Sequence, residues 1–300
     1  MISVIINTKD RPEDLKVCVR SILKQARPVQ ELVIVDASRN PEEARAEMEQ
    51  LLQESSIVLK YLHTKAGNAY QRNVGIANLD PDSQYVWFCD DDVVLPEYAA
   101  QTYIKKFEQH PDVAAVQGIE VNRTRQHALG NIVRRIFCVG YEGKSWKFLP
   151  SGEHVMVIHP VGDQYVGSFM VGLTCVRKRI LDEFRFDEWF ESYAWLEDYD
   201  FSYRIGRKYK MLITPDVKIT HNRSNVSRLG PFISSRMLML NKRYFFCKNV
   251  DKSAGRYCAF LWSLAGHLVL NCGKSIYKWD CGYFLGTLSG IGRMSLGRDC

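Results

Sequence analysis

Three consecutive aspartates at the end of an apolar stretch constrain the fold of this 300-residue chain more than any other feature. Asp90, Asp91 and Asp92 follow the run Tyr-Val-Trp-Phe-Cys, which has the length and composition of a buried strand. Three adjacent carboxylates repel one another and need a positive partner, and divalent cations favour such oxygen ligands. Because side chains alternate along an extended strand, Asp90 and Asp92 can face one ion. A solvated turn after the strand is the alternative interpretation.

The first hundred residues alternate short apolar runs with longer helical patterns. The pattern predicts strands over 2–7, 31–36, 57–62 and 85–89, and helices over 12–24, 41–52 and 69–78. This order predicts an α/β fold with a mostly parallel, Rossmann-like sheet flanked by helices. Ligands of such sheets bind beyond the carboxyl ends of the strands, where Thr8, Asp36 and Asp90 all lie. We therefore expect these three segments to meet in one crevice.

The remainder of the chain is patterned less regularly. Residues 126–166 predict loops or hairpins. Helices are expected near 177–183 and 196–207, and strands near 210–213 and 217–220. We expect the chain to divide into residues 1–115, residues 116–225 and a C-terminal helical segment over 226–300.

Positive charge is concentrated at the C-terminal end. The chain has a net charge of +6, but from Arg223 onwards it carries twelve Lys and Arg against three Asp and Glu. The apolar run Ala259–Leu270 within this segment contains Trp262 and is too short to span a bilayer. Such a composition predicts a helix on an anionic membrane surface, with a helix packed on the body of the protein as the alternative. No nucleic-acid-binding module is recognisable, so nucleic acid is not an expected partner.

The cellular location can be inferred from the start of the chain and from its cysteines. Residues 1–7 have the pattern of a first strand and not of a signal peptide. The nine cysteines include no CxxC or CxxH pair, so the spacing indicates neither a zinc site nor a disulfide framework. We expect a cytoplasmic protein, with peripheral binding to the inner face of the cytoplasmic membrane as an extension of that prediction.

A set of short motifs follows in a fixed order along the first 225 residues. They are Thr8–Pro12, Val35–Asp36, Gly67, Arg72–Ala77, Phe88–Asp92, Phe186–Glu188, Glu197–Asp200, Arg204 and Pro215–His221. In this order and spacing they resemble family 2 of the glycosyltransferases, which are inverting enzymes with a GT-A fold and a DxD-type acidic motif. A single motif would be weak support, whereas the ordered set is specific.

The resemblance implies a role for each matching acidic or basic residue. The residues that would bind the nucleotide sugar are Thr8, Arg11, Asp36, Arg72, Asp90 and Asp91. Asp36 would accept a hydrogen bond from the imide N–H of uracil or thymine, a donor that cytosine lacks. Asp90 and Asp92, completed by His221, would hold Mn²⁺ or Mg²⁺, which stabilises charge on the departing nucleoside diphosphate.

Asp198 is the predicted general base. In an inverting transfer the acceptor hydroxyl attacks the anomeric carbon directly, and one carboxylate suffices to take its proton. Glu197 is expected to orient the base or to bind the acceptor. The alternative is that the acidic residues favour a helix start through the helix dipole alone.

Three local departures from the family pattern affect the donor pocket. Gln71 stands where the family commonly has Ala, Ala37 replaces a frequent acidic or amide residue, and Phe184–Arg185 replace glycines. None of them removes a predicted catalytic group. They leave the identity of the sugar open.

Together these features predict a metal-dependent inverting glycosyltransferase that uses a UDP- or dTDP-sugar. The expected acceptor is a glycan or a lipid-linked glycan in cell-surface polysaccharide synthesis. Residues 1–115 would bind the donor, residues 116–225 the acceptor, and residues 226–300 a membrane. One alternative is a sugar-phosphate nucleotidylyltransferase, but its glycine-rich phosphate loop is missing from Thr8–Leu15. The other is a catalytically inactive scaffold.

Overall fold

The computed structural model describes residues 1–191, 195–226 and 228–294. Its strands are β1 (Ile2–Thr8), β2 (Glu31–Asp36), β3 (Val58–His63), β4 (Tyr85–Asp90), β5 (Val93–Val94), β6 (Val113–Glu120), β7 (Tyr141–Glu142), β8 (Lys147–Phe148), β9 (His154–Met156), β10 (Gln164–Val166), β11 (Leu173–Arg177) and β12 (Lys210–His221). Its helices are α1 (Pro12–Leu23), α2 (Glu42–Leu52), α3 (Asn68–Ala77), α4 (Ala99–Gln109), α5 (Ala128–Ile136), α6 (Lys178–Glu183), α7 (Glu197–Gly206), α8 (Pro231–Asn249), α9 (Ala254–Lys278) and α10 (Gly282–Met294).

The chain forms two compact units. The first contains the described residues of Met1–Arg123, His159–Tyr193 and Glu197–Ser227. The second contains those of Thr124–Ile158, Ala194–Leu196 and Arg228–Cys300.

A large, mostly parallel sheet organises the first unit. Its strand order is β10-β12-β6-β11-β4-β1-β2-β3, and β5 pairs with β12. Strands β3, β2, β1 and β4 run parallel, whereas β11 is inserted antiparallel between β4 and β6. The predicted α/β fold with a mostly parallel, helix-flanked sheet is therefore confirmed.

The local sequence explains the N-terminal elements. All residues of β2 are buried, as expected for a parallel strand covered on both faces. Helix α1 begins with Pro12, whose fixed φ suits a first turn, and buries Leu15, Val19 and Ile22 at helical spacing. Trp87 of β4 is buried and packs edge-on against Tyr103 of α4.

Two parts of the first unit differ from the sequence prediction. The two strands expected near 210–213 and 217–220 form one strand, β12, whose pairing with β6 shifts register between Ile213 and Lys218. Pro215 lies within that shift. Because proline has no backbone N–H, it cannot donate a hydrogen bond to the neighbouring strand at this point. Helix α4 and strands β6 and β11 were not predicted. The two strands lie in the middle of the sheet.

The second unit is mainly helical. It contains α5, α8, α9, α10 and a small sheet of order β7-β9-β8, so the predicted C-terminal helical segment is confirmed. Helices α8 and α10 pack closely through glycines, since a Cβ at Gly286 would lie 2.3 Å from the carbonyl oxygen of Phe232. Phe246 of α8 stacks on Phe260 of α9, with ring centroids 4.4 Å apart. No helix among the described residues is both long and apolar enough to cross a bilayer.

A buried cluster of charged groups joins three elements of the second unit. The Oε1 atom of Glu153 lies 2.7 Å from Lys242 Nζ and 2.9 Å from His267 Nε2, and Oε2 accepts the N–H of Gly140 at 2.6 Å. Although burial opposes ionisation, Lys242 and His267 hold the pKa of Glu153 well below its usual range. Burial lowers the pKa of both Lys242 and His267. The carboxylate is therefore fully partnered.

Candidate active site

The carboxyl ends of β1 and β4 bring three predicted residues into contact. The hydroxyl of Thr8 donates to Asp91 Oδ2 at 2.8 Å, and Arg11 Nη1 donates to Asp91 Oδ1 at 3.0 Å. Burial raises the pKa of Asp91 to about 7, and Arg11 and Thr8 oppose that rise. Arg11 also donates to the carbonyl oxygen of Val226 at 2.8 Å. Asp91 thus faces away from its two neighbours and ties β4 to the turn after β1.

The other two aspartates approach His221. One potential ligand atom each of Asp90, Asp92 and His221 all lie within 4.8 Å of one another. The short strand β5 pairs antiparallel with the end of β12, with Val93 opposite His221, and this pairing brings the imidazole to the aspartates. His221 Nε2 lies 2.9 Å from Asp92 Oδ1, and the N–H of Ser224 donates to Asp92 Oδ2 at 2.9 Å.

The protonation tendencies within this group are unequal. Burial raises the pKa of Asp90, and the nearby carboxylates of Asp198 and Asp92 raise it further against the opposing effect of Arg72 and His221. Burial also disfavours the charged form of Asp92, but the hydrogen bond with His221 lowers the pKa of Asp92 overall. The same bond raises the pKa of His221 against the effect of burial. The group thus offers two carboxylates against one imidazole.

Arg72 connects this group to the acidic start of α7. Its Nη1 lies 2.9 Å from Glu197 Oε1 and 2.6 Å from Asp198 Oδ1, and its Nη2 lies 3.8 Å from Asp90 Oδ1. Burial works against the guanidinium charge, but Asp198, Glu197 and Asp90 together raise the pKa of Arg72. Burial and the adjacent Asp198 raise the pKa of Glu197 well above its usual range. The second carboxylate oxygen of Asp198 accepts the N–H of Val171 at 3.1 Å.

Asn73 explains why the Arg-Asn motif and the Phe-Asp-Glu motif occur together. Its side-chain amide donates to the carbonyl oxygen of Phe186 at 2.9 Å and accepts the N–H of Phe186 at 2.9 Å. The ring of Phe186 in turn lies under Arg72, with the guanidinium carbon 5.2 Å from the ring centroid. The two motifs therefore form one support for Arg72.

Asp36 occupies the predicted strand end but has different partners. Its side chain is fully buried, with Oδ2 accepting the Tyr61 hydroxyl at 2.6 Å and Oδ1 accepting the N–H of Ser38 at 2.7 Å. Burial and the bond to Asp36 raise the pKa of Tyr61 above its usual value. The structure therefore brings Thr8, Arg11 and Asp91 together next to the groups around Arg72 and His221, since Arg11 Nη1 also lies 3.8 Å from Asp92 Oδ2. Asp36 contacts Tyr61 and Ser38 instead.

Sequence reasoning missed Gly172, which lies against the carboxylate of Asp90. A Cβ at this position would be 2.1 Å from Asp90 Oδ2, so only glycine leaves that carboxylate in place. Gly172 lines a small cavity together with Ile5, Asn7, Arg72, Phe88, Cys89 and Asp90. No local pattern marks Gly172, because its position depends on the antiparallel pairing of β11 with β4.

The family model named glycosyl transferase family 2 matches residues 3–151. Over these residues the chain belongs to glycosyltransferase family 2. The resemblance drawn from the motifs is thereby confirmed, and residues 3–151 carry the glycosyltransferase domain of this family. Residues 3–151 include the aspartate run and Arg72, whereas Asp198 and His221 lie beyond the matched segment.

Two solved structures of S. aureus TarS have a fold similar to that of this chain. The crystal structure of S. aureus TarS is 14% identical with a TM-score of 0.52, over 90% of this chain and 42% of TarS. The crystal structure of S. aureus TarS 1-349 in complex with UDP-GlcNAc is 15% identical with a TM-score of 0.55, over 91% of this chain and 74% of that chain. The enzyme thus spans less than half the length of full TarS. No curated protein sequence matches it significantly.

Proposed function

We propose that the enzyme is a metal-dependent, inverting glycosyltransferase that moves a sugar from a nucleoside-diphosphate donor to a glycan hydroxyl. The observation that carries this proposal is the meeting of Asp90, Asp92 and His221 within 4.8 Å, with Arg72 between that group and Asp198. A scaffold protein would have no use for a charged residue bridging these two carboxylate groups.

The metal part of the proposal rests on the chemistry of the donor set. Two carboxylates and an imidazole with mutually close ligand atoms fit Mn²⁺ or Mg²⁺. Asp90, Asp92 and His221 would hold the ion. When bound, the ion supplies charge stabilisation to the diphosphate leaving group.

We propose Asp198 as the general base. Its carboxylate is about one-third exposed, and it is oriented by Arg72 on one oxygen and by the Val171 N–H on the other. In a single displacement the acceptor oxygen forms the new glycosidic bond while the bond to the diphosphate breaks, and the acceptor proton passes to Asp198. Arg72 would hold Asp198 and Asp90 at a constant separation during this step.

The favoured donor is a UDP- or dTDP-sugar. The TarS neighbour in complex with UDP-GlcNAc supports a nucleotide sugar for this fold. Asp36 retains the position of a base-reading carboxylate, and in this chain Tyr61 and Ser38 fix its orientation. Reading an imide N–H through Asp36 requires the Tyr61 hydroxyl to give way or to share the carboxylate.

The proposed acceptor is a glycan or a lipid-linked glycan, and the proposed setting is cell-surface polysaccharide synthesis. The basic composition of residues 226–300 supports placement at the inner face of the cytoplasmic membrane. This placement would bring a lipid-linked acceptor within reach of a cytoplasmic pool of nucleotide sugar.

The decisive experiment measures nucleoside-diphosphate release from a panel of nucleotide sugars, with Mn²⁺, with Mg²⁺ and with a chelator. We expect release from a uridine or thymidine donor, abolition by the chelator, and loss of metal dependence of nucleotide binding in Asp92→Ala. The Asp198→Asn variant should bind donor like the wild type and lose transfer by about 10²–10⁴-fold. Lys208→Met, on the surface of the first unit, serves as the control.

Each rival predicts a different outcome of that experiment. A nucleotidylyltransferase would release pyrophosphate from a nucleoside triphosphate and a sugar phosphate. A scaffold would release nothing from any donor and would not be stabilised against heat by any nucleotide. Full transfer by Asp198→Asn would reject Asp198 as the base.

A further inference from the structure

Helix α5 presents an apolar face to solvent. Leu129, Ile132 and Ile136 lie three and four residues apart on one side of the helix and are between 52% and 64% exposed. No residue of α5 is buried. At this spacing a helix of a globular protein normally turns its apolar stripe towards the core. Within the part of the chain that the structure describes, no element covers the apolar stripe of α5.

Helix α9 carries a second exposed stripe. Phe260, Leu264 and His267 on one side of α9 are buried in the second unit. On the other side Leu261, Trp262 and Val269 are about half exposed. Further along the helix Ile276 is 72% exposed, and Trp279 just after it is 96% exposed. Helix α9 is therefore apolar on two sides, of which only one is covered.

The two stripes belong to one surface. Trp262 Nε1 donates to the carbonyl oxygen of Ile136 at 2.9 Å, and its ring stacks on Phe137 with centroids 4.8 Å apart. Gly266 lies against Phe137, where a Cβ would come within 2.3 Å of the Phe137 Cβ. We call Leu129, Ile132, Ile136, Leu261, Trp262 and Val269 the α5–α9 surface.

The helices that form and flank this surface are basic. Helices α5, α9 and α10 contain six basic residues and no Asp or Glu. They are Arg134, Arg135, Arg256, Lys274, Lys278 and Arg293. The sequence segments of the second unit carry sixteen Lys and Arg against five Asp and Glu, or +11, whereas the rest of the chain carries 24 against 29, or −5.

We propose that the α5–α9 surface docks on an anionic lipid membrane, with α5 as the element that enters the headgroup region. Exposed aliphatic side chains, Trp residues and flanking Lys and Arg are the composition of an interfacial helix. A second copy of the chain would set basic residues against basic residues, which opposes self-association. This inference rests on the proposed function only for its choice of a membrane partner, and α5 lies outside the segment that the sequence predicted for that role.

Co-sedimentation of the full chain with vesicles tests the proposal. We expect binding to phosphatidylcholine vesicles containing 30% phosphatidylglycerol, weaker binding to pure phosphatidylcholine, and reduced binding at high salt. Leu129→Glu/Ile136→Glu should weaken binding about tenfold or more, because it removes apolar side chains from the lipid. Both positions are exposed, so folding should be unaffected. Val161→Glu, at a fully exposed apolar position of the first unit, is the matched control.

The outcomes separate the surface from the catalytic proposal. The rate of sugar transfer to a water-soluble acceptor, measured by nucleoside-diphosphate release, should be unchanged in the α5 variant. If the wild type binds vesicles but transfers no sugar, the catalytic proposal fails and the surface remains. Equal vesicle binding by the wild type and the α5 variant would overturn the proposal that the α5–α9 surface binds lipid. A dimer in solution that the α5 variant dissociates, without vesicle binding, would assign the surface to a second copy instead.

A second inference concerns Gln71, the residue that departs from the family's usual Ala. Its amide nitrogen donates to the carbonyl oxygens of Thr8 at 3.1 Å and Val35 at 2.9 Å, and its amide oxygen accepts the N–H of Gly67 at 3.2 Å. Gln71 is buried, so its amide group forms these hydrogen bonds with protein atoms and not with solvent water. The amide thus joins the ends of β1 and β2 to the turn before α3.

We infer that Gln71 is a positioning residue for donor binding. The carbonyl oxygens it holds belong to Thr8, which contacts Asp91, and to the residue preceding Asp36. Losing the amide would free the two strand ends to separate where the donor is proposed to bind. This inference also rests on the proposed function.

Gln25 provides a matched control for this inference. It is a second buried glutamine of the first unit, donating to the carbonyl oxygens of Ser21 and Pro96 and accepting the N–H of Ala100. We expect Gln71→Met to raise the donor KM about tenfold with kcat and acceptor KM retained. Gln25→Met should lower Tm to a similar degree and leave the donor KM unchanged. Equal donor KM in both variants would overturn the inference, whereas absence of any donor binding by the wild type would instead reject the proposed function.

Discussion

The buried clusters around Glu153 and around Arg72 differ in their balance of charge. In the second unit, one carboxylate, Glu153, is surrounded by Lys242 and His267, and its pKa is lowered. In the active site, Asp90, Asp198 and Glu197 surround one guanidinium, that of Arg72, and the pKa of both Asp90 and Glu197 is raised. The first cluster has enough cations for its anion, and the second has too few.

The direction of these pKa shifts separates a structural cluster from a functional one. Lys242 and His267 favour the charged form of Glu153 and outweigh the effect of its burial. A group of carboxylates whose pKa is raised is stabilised by any cation that arrives. The active site is therefore ready to gain stability from a bound metal ion, whereas the Glu153 cluster is not. The following predictions test this contrast, from the largest expected effect to the smallest.

Removing the guanidinium of Arg72 should have the largest effect. Arg72→Met leaves Glu197 and Asp198 close together without compensation, so we expect a loss of about 3–5 kcal/mol in the free energy of unfolding. Transfer should fall by at least about 10²-fold, because Asp198 loses its orienting partner. Denaturant unfolding and donor turnover measure the two effects. Adding Glu197→Gln should recover part of the stability and none of the activity; an unchanged unfolding midpoint in Arg72→Met would contradict the contrast.

Neutralising the carboxylate of the other cluster should affect stability alone. Glu153→Gln leaves Lys242 buried without its counter-charge, and we expect a loss of about 3 kcal/mol with turnover retained at a temperature where the variant is folded. Asp251→Asn, which breaks the exposed pair with Arg256, should change stability by less than about 1 kcal/mol. Loss of turnover in folded Glu153→Gln would show that the Glu153 cluster also contributes to catalysis, and the contrast between the two clusters would be wrong.

Displacing the carboxylate of Asp90 tests the candidate metal site without removing any charge. In Gly172→Ala the new methyl group forces the Asp90 carboxylate aside, so we expect metal affinity to fall about 10–100-fold. Metal titration followed by nucleotide binding measures this change. Gly162→Ala adds a methyl group into open space in the same unit and should behave as the wild type. Wild-type metal affinity in Gly172→Ala would show that Asp90 is not a ligand.

The smallest expected effect is a pH dependence from His267. Burial lowers the pKa of His267 in the folded protein, with Lys242 and Arg134 adding to the shift and Glu153 opposing it. Below the unfolded pKa of about 6.5, the unfolded chain then binds more protons than the folded one. His267 should therefore contribute a decrease in the free energy of unfolding as the pH falls from about 7 to about 5. Urea unfolding of His267→Gln should lack this contribution, so its stability relative to the wild type should rise over that range, whereas the exposed His127→Gln should keep the wild-type slope.

The parts of the fold that sequence could predict are those with local patterns. Strands β1 to β4 and helices α1 to α3 alternate in a period that the apolar residues mark, and the predicted bounds lie within a residue or two of the observed ones. Strand β11 carried no such mark, because it enters the sheet antiparallel between β4 and β6 and depends on partners far away in the chain. Helix α5 was missed because its apolar stripe lies within a glycine- and histidine-rich stretch.

The candidate site divides in the same way. Residue types at strand ends predicted the aspartates as members of one site, and the resemblance to family 2 implied that Arg72, Asp198 and His221 belong to it. The structure brings these residues together. Their pairings did not follow from the sequence: Arg72 and Asp198 are 126 positions apart, and nothing local indicates that they touch. Tyr61 is a further example, since a tyrosine in a predicted strand gives no sign that its hydroxyl covers Asp36.

The pairing of β5 with the end of β12 also sets an order in time. The carboxylates of Asp90 and Asp92 leave the ribosome with the first third of the chain, whereas His221 emerges on the order of ten seconds later at ordinary rates of synthesis. Until β12 has entered the sheet, the aspartates lack the imidazole that completes their group. A nascent chain that has made its donor-side strands therefore holds an unfinished metal site, and the enzyme acquires its third proposed ligand only as the last strand of the sheet is laid down.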